Sequence, residues 1–446
     1  MNNNVTIVEG CEFPKSDGVP AEEGKRLKQL KSYREKYKEL LANYHVALKL
    51  GDSSKLKLAL HGCMNASELL VCTAVNANKS VGFNQRHTLA EIFDAAKSNL
   101  WDTACNELVH IDVAKSEFGD IVTRKFGVGR TIIHDACCQL LKGAFRTRSF
   151  QYEGRCYGLR KKAVKLAVRD IKTALNSNLA WAATPHIDQF FRGFTAEGLA
   201  QVIPLPKTVI TDYVMANYKK CHIQCHDAAF TPHQIDQIVS QAEKGIPEGF
   251  ALSTVVAMQT LSHISWTGPA RLFNWGGRFL ILGATKEEVE TAQKTLVADV
   301  QALCAGTFKF ETTEAKQADQ PVEFLGHLFL FGKNGLIVLP AHPEDLHKKV
   351  GEFESRALEY LNGPLKGEPD AKMQAHQFLH HMLIYAADWR RAFSECSPEL
   401  ADAFQDAVKR RVERTLAKFD LFVPFFFCDT GLNKDVQCEF PYGPAP

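Results

Sequence analysis

Two cysteines and two histidines fall within Cys221-His222-Ile223-Gln224-Cys225-His226, with Asp227 next. Thiols and imidazoles at that density suggest zinc. Standard zinc sites, however, draw their ligands from two separated pairs, and no second cysteine pair stands at suitable spacing. The segment is therefore expected to be a polar, thiol-bearing loop after a helix. His376 and His380 sit one helical turn apart with His381 beside them, but no glutamate stands between them in the metalloprotease pattern. They read as a helix face, and no metal site is expected. Cys137-Cys138 lies in an apolar helical stretch and reads as core.

The elements that must carry any site follow from periodicity. Residues 21–50 read as a helix in which Lys25, Arg26, Lys28, Lys31, Arg34, Lys36 and Lys38 alternate with Leu27, Leu30, Leu40 and Leu41. Such a helix is either a solvated amphipathic face or a phosphate-facing one. Residues 51–120 read as further helices. Ile121-Val122 and Thr131-Ile132-Ile133 flank the basic turn Arg124-Lys125-Phe126-Gly127-Val128-Gly129-Arg130 and are expected to be two short strands. Helices are expected over 134–145, 160–176, 208–219, 250–264 and 286–303. Strands are expected over 181–187, 278–282, 308–311, 322–325 and 328–331. Residues 345–420 read as mostly helical, and Lys409, Arg410, Arg411, Arg414 and Lys418 there are either a backbone-gripping or a solvated face.

Composition limits what such a chain can be. Hydrophobic residues make up 45% and charged residues 23% of 446 positions, enough for a packed core in two or three lobes. The net charge of +2 denies a whole-chain nucleic-acid signal, so local clusters must carry one. Thirteen scattered cysteines and a polar opening without a signal peptide point to a reduced, cytoplasmic setting. The longest apolar run, near 419–428, contains Asp420 and Pro424 and is too short to span a bilayer. Within it, Phe425-Phe426-Phe427 belongs to a proline-containing tail (422–446) that either packs on the body or docks a partner.

Five segments in order, over roughly residues 120–335, resemble the reverse transcriptases of group II introns, retrons and bacterial defence systems. Gly129-Arg130-Thr131-Ile132-Ile133-His134-Asp135 resembles the fingers segment, with Lys125 and Arg130 as its basic residues. Arg155-Cys156-Tyr157-Gly158-Leu159-Arg160 resembles a Tyr-Gly-Phe-Arg turn that sets an arginine at a helix start. Trp181 to Phe191 resembles the first palm motif. Gly245-Ile246-Pro247-Glu248-Gly249-Phe250-Ala251-Leu252-Ser253 resembles the family's Gly-Ile-Pro-Gln-Gly loop. Phe273 to Gly283, followed by Thr285-Lys286-Glu287-Glu288, resembles the Tyr-Ala-Asp-Asp hairpin and its helix, with Phe324-Leu325-Gly326 as a primer-grip-like hairpin. The resemblance implies an α+β right-hand polymerase: a helical N-terminal extension (1–118), fingers (119–180), palm (181–335), and helical thumb with tail (336–446).

The departures carry the functional expectation. Where the family holds metal-binding aspartates, this chain has His186, Gly277 and Arg278. Magnesium prefers oxygen ligands, and two-metal catalysis needs carboxylates near both ions. Imidazole is a poor substitute, glycine offers nothing, and a guanidinium repels a dication. Asp188 and Glu248 are the acids that could stand in. The resemblance thus implies a catalytically degenerate protein that binds RNA or an RNA–DNA duplex through Lys125, Arg130, Arg155, Arg160, Gly245, Pro247 and Arg278. It implies a protein partner, such as an active reverse transcriptase, in an antiphage ribonucleoprotein. No cofactor is expected; magnesium enters only under the first alternative, an active divergent or untemplated polymerase. The second alternative is a purely structural interaction subunit.

Overall fold

The computed structural model describes residues 5–8, 11–14, 21–78, 87–96, 100–116, 119–148, 163–177, 179–225, 230–317, 319–332, 335–341, 343–367, 371–392 and 398–419. Arg155, Arg160, His226 and the Phe425–Phe427 run lie outside them.

A short hairpin, β1 (Val5–Val8) with β2 (Cys11–Pro14), precedes the helices. The long helix α1 (Ala21–Leu50) follows from strong helix formers laced by Lys25–Glu22, Arg26–Glu23 and Lys38–Glu35 pairs. It stops at Gly51, whose φ of 67° suits a C-terminal cap. Asp52 then caps α2 (Ser53–Asn65) by accepting from Ser54 N and Lys55 N. Next come α3 (Ser67–Asn78), α4 (Leu89–Ala95) with a Thr88–Glu91 capping box, and α5 (Leu100–Ala104). Among the described residues no single helix is long and apolar enough to cross a membrane; α2 and α3 pass together only as a pair bent by 67°.

Here the structure departs from expectation. Residues 109–116 are not helical but form strand β3 (Val109–Ser116), which pairs antiparallel with β4 (Gly119–Lys125). Thr131-Ile132-Ile133 is not a strand; it lies in α6 (Val128–Arg148). Ile132, Ile133, Ala136, Cys137, Leu140 and Leu141 are all buried, and that spacing is a helical stripe whose burial overrides local β-propensity. Cys137 and Cys138 are core residues, as read. The third strand of this sheet is β7 (Cys221–Cys225), parallel to β3, where a loop was expected.

After α7 (Ala163–Leu175), the expected strand over 181–187 is split into β5 (Trp181–Ala183) and β6 (His186–Asp188). Pro185 has no N–H to offer a ladder, yet its carbonyl accepts from Phe279 N at 3.0 Å, so the line of pairing continues. Helices α8 (Ala196–Val202) and α9 (Lys207–Val209) follow, the latter running into a π turn over Ile210–Val214 in place of the expected longer helix. The remaining elements are α10 (Pro232–Ala242), α11 (Ala251–Leu261), β8 (Arg271–Trp275), β9 (Arg278–Gly283), α12 (Lys286–Gln301), β10 (Lys309–Glu311), β11 (Lys316–Gln317), β12 (Val322–Phe324), β13 (His327–Gly332), β14 (Gly335–Pro340), α13 (Pro343–Leu361), α14 (Ala371–Ala392) and α15 (Pro398–Lys418). The hairpins β3–β4 and β13–β14 straddle residues 118 and 335, where the sequence reading divides the chain.

The chain is a mixed helix-and-sheet protein organised by a six-stranded sheet. In it β9 lies between β8 and the β5/β6 line, with β10 and β11 outside. Phe279 and Ile281 of β9 point into a large core shared with α6, α11 and α12. Leu280 and Leu282 point the other way, into a smaller core made by α7 and the β12–β13–β14 sheet. The cover on that second face does not reach the far end of the sheet. Helices α13, α14 and α15 bury a separate core of their own.

Candidate nucleic-acid interface

At the uncovered end of the sheet, register aligns residues from four strands. Glu311 pairs with His186, His186 with Arg278, and Arg278 with Trp275. One step along, Lys309 pairs with Asp188. Paired residues share a face, so His186, Asp188, Arg278, Lys309 and Glu311 form one exposed polar floor, with half-buried Trp275 at its border.

The floor is a chain of charges. His186 Nε2 lies 3.3 Å from Glu311 Oε2, Lys309 Nζ lies 2.8 Å from Glu311 Oε1, and Lys309 Nζ lies 3.5 Å from Asp188 Oδ2. Lys309 holds the Glu311 carboxyl below the usual carboxylate range, first by its hydrogen bond and then by its charge, with His186 adding least. Glu311 in turn raises the Lys309 ammonium, with Asp188 assisting. Among the described residues Arg278 makes no ion pair.

Three sequence-distant segments meet beneath this floor at the 3₁₀ turn Phe190–Gly193. Ile246 N donates to Phe191 O at 2.9 Å. Gly245 adopts φ 69°, and a Cβ there would stand 2.0 Å from the same oxygen, so the Gly-Ile-Pro loop must begin with glycine. Gly277 lies against Phe190, whose Cβ would be 2.8 Å from an added Cβ, and Ile187 N donates to Gly277 O at 2.8 Å. Gly276, with φ 57°, makes the two-residue turn between Trp275 and Arg278. The structure thus brings His186, Gly277, Arg278 and the Gly245–Pro247 loop together. Glu248 is exposed on that loop and makes none of the contacts that tie the floor together.

The donor set does not suit magnesium. Gly277 faces Phe190, Arg278 supplies a cation, and both floor carboxylates are already engaged by Lys309. Among the described residues no three His, Cys, Asp or Glu side chains are grouped to hold a metal ion. Cys221, His222 and Cys225 lie along β7, with His222 packed against His110 at 5.8 Å. His376, His380 and His381 lie on α14, where burial lowers all three imidazoles and His381 meets Phe353 and Phe378.

Among the expected phosphate contacts Arg130 is a correction. Its side chain is 1% exposed, beneath the rings of Phe126, Tyr213 and Tyr218 at 5.2–5.7 Å, and it donates to Asp212 O and Cys105 O. Desolvation lowers its pKa, but a guanidinium remains charged. No phosphate can reach it there. The amides of the same turn are also taken: Glu107 accepts from Gly129 N at 3.0 Å and Arg130 N at 2.9 Å. Lys125 is exposed and pairs with Asp112 at 3.0 Å. Phe250 stacks on Phe126 at 4.4 Å. In the primer-grip-like segment, Phe324 is core, and Leu325 and Gly326, at φ 55° and 69°, form a tight turn with His327 Nδ1 2.7 Å from Leu325 O. On α15 Arg411 is tied to Glu354 of α13, leaving Lys409, Arg410, Arg414 and Lys418 on the exposed side.

Lys309, Glu311 and Glu107 escaped the sequence reading. The first two had a signal: Lys309-Phe310-Glu311 alternates as His186-Ile187-Asp188 does, and both strands put polar residues on one face. Glu107 had none, because its role is set by a helix 22 residues away.

No protein-family model and no curated protein sequence matches the chain. A solved structure of the RNA-dependent RNA polymerase from bacteriophage phi12 aligns with 68% of it at 10% identity and a TM-score of 0.33. The chain spans about half of that polymerase, 51% of its length.

Proposed function

We propose that this chain is a polymerase-palm-like protein of reverse-transcriptase type that has lost its metal chemistry, binds RNA or an RNA–DNA duplex, and supports an active polymerase partner. The supporting observation is the meeting of the 181–191, 245–247 and 273–278 segments at the Phe190–Gly193 turn beneath one exposed floor. That floor offers Arg278 and Lys309 where a metal-dependent site needs acids. A guanidinium without an ion pair among the described residues, beside a half-exposed tryptophan, suits a phosphate backbone with a base stacked nearby. The exposed face of α15 is a second backbone contact in this reading, and an antiphage ribonucleoprotein is the setting the resemblance suggests.

The test is binding of labelled RNA, RNA–DNA hybrid and DNA across a salt series, with Arg278→Glu and Lys309→Glu variants. Affinity should fall with salt and fall further in both variants. Salt-independent binding to a protein alone would support the structural-subunit alternative. A competing enzymatic reading draws on Asp188 and Glu311 sharing one ammonium. Primer extension with magnesium or manganese, beside an Asp188→Ala variant, separates it: the proposal expects no extension in either.

A further inference from the structure

Behind the Arg130 cage, two side chains 114 residues apart meet: Lys219 Nζ lies 3.2 Å from Cys105 Sγ. The thiol is 6% exposed and contacts Asp102 O at 3.2 Å, whereas Lys219 is exposed on the turn before β7. The backbone around them is firmly held. Val109 N donates to Lys220 O at 3.0 Å, β3 and β7 run in parallel register from Val109 and Cys221, and Arg130 donates to Cys105 O at 3.4 Å. A sheet and a helix therefore hold the two backbones close, and the exposed Lys219 side chain reaches the thiol from that fixed base.

We propose that Cys105 and Lys219 form a reversible nitrogen–oxygen–sulfur bridge on exposure to peroxide, stapling the α5–β3 junction to the start of β7. The sulfur and the nitrogen each give up two electrons. Two peroxide molecules accept the four electrons; one oxygen atom stays between nitrogen and sulfur, and the other three leave as water. The thiol proton and one amine proton leave with that water, and one hydrogen remains on nitrogen. The first peroxide takes the thiol to the sulfenic state and leaves as one water; the second removes two hydrogens and two electrons as the sulfenic oxygen bonds the Lys219 nitrogen, and leaves as two waters. The bridge removes the Lys219 charge and closes a long covalent loop. It does not depend on the proposed function of the floor.

The test uses the full chain, treated with hydrogen peroxide or with dithiothreitol, then alkylated, digested with trypsin and analysed by mass spectrometry. The expected result is loss of Cys105 alkylation, loss of cleavage after Lys219, and a linked peptide pair that has gained one oxygen and lost two hydrogens. Dithiothreitol should restore both peptides. Lys219→Arg, a charge-preserving change on an exposed side chain, should abolish the linked pair, and so should Cys105→Ser. Recovery of Cys105 as a free thiol, a sulfinic acid or a disulfide, with trypsin still cutting after Lys219, overturns the proposal.

Discussion

The turn that opens α6 and the floor of the six-stranded sheet look alike as sequence: each sets an arginine behind closely spaced glycines. They end in opposite states. At the turn the first helix amides and two guanidinium nitrogens have internal partners, and the arginine is shut off from solvent. Glu107 occupies the helix amides, three aromatic rings cover Arg130, and Phe250 stacks on Phe126. At the floor Arg278 stands exposed without an ion pair among the described residues, and the other charges meet only one another at the surface. Burial therefore decides what a basic residue is for. Under aromatic rings it organises the fold; on an open sheet it remains available to a phosphate.

The largest test of that contrast compares the two arginines. Arg130→Ala removes two hydrogen bonds and the packing of a long buried side chain, and should cost about 3 kcal/mol or more. Arg278→Ala should stay within about 0.5 kcal/mol, as surface changes usually do. Urea denaturation measures both, and equal midpoints would break the comparison.

Gly277→Asp comes next. It places an acid in the turn but drives a Cβ to 2.8 Å from the Phe190 Cβ, and should destabilise by about 1–3 kcal/mol without creating manganese affinity. Stable folding together with tight manganese binding, measured by calorimetry, would show that the floor is far more adaptable than its packing suggests.

Acid sensitivity sharpens the turn's side of the comparison. Desolvation, with Arg130 adding to it, lowers the His134 imidazole from 6.5 to about 3. The unfolded chain takes up that proton below pH 6.5 while the folded chain refuses it until about pH 3. His134 thus contributes stability above pH 6.5 that is lost progressively on acidification across this window. A His134→Phe variant should show a shallower loss between those values in urea titrations at stepped pH.

The smallest expected change belongs to Lys309, which is exposed and pairs only at the surface. Lys309→Met should leave the unfolding midpoint unchanged while lowering the salt slope of RNA binding by about one. An unchanged slope would remove Lys309 from the interface.

Much of this was readable in advance, for local reasons. Helix α12 is announced by Thr285, whose hydroxyl accepts from Glu288 N, followed by an apolar stripe at 3.6-residue spacing. The turns at Gly245 and Gly276 need positive φ, and sequence shows where glycine stands. What was misread turned on burial, as at Thr131–Ile133, or on strand pairing, part of it distant. Strand β3 has no partner nearby upstream, and its register with β7 joins residues over a hundred positions apart.

The sequence by itself determined where most helices and glycine turns stand and which residue types occupy 186, 277 and 278, because caps, period and residue type act within a few positions. Tertiary structure alone decided which arginine is covered and which is open, that Glu107 would occupy the α6 amides, and that Lys309 and Glu311 would meet Asp188 and His186. Strand pairing and burial join residues that the chain keeps far apart, and no local pattern records those partners.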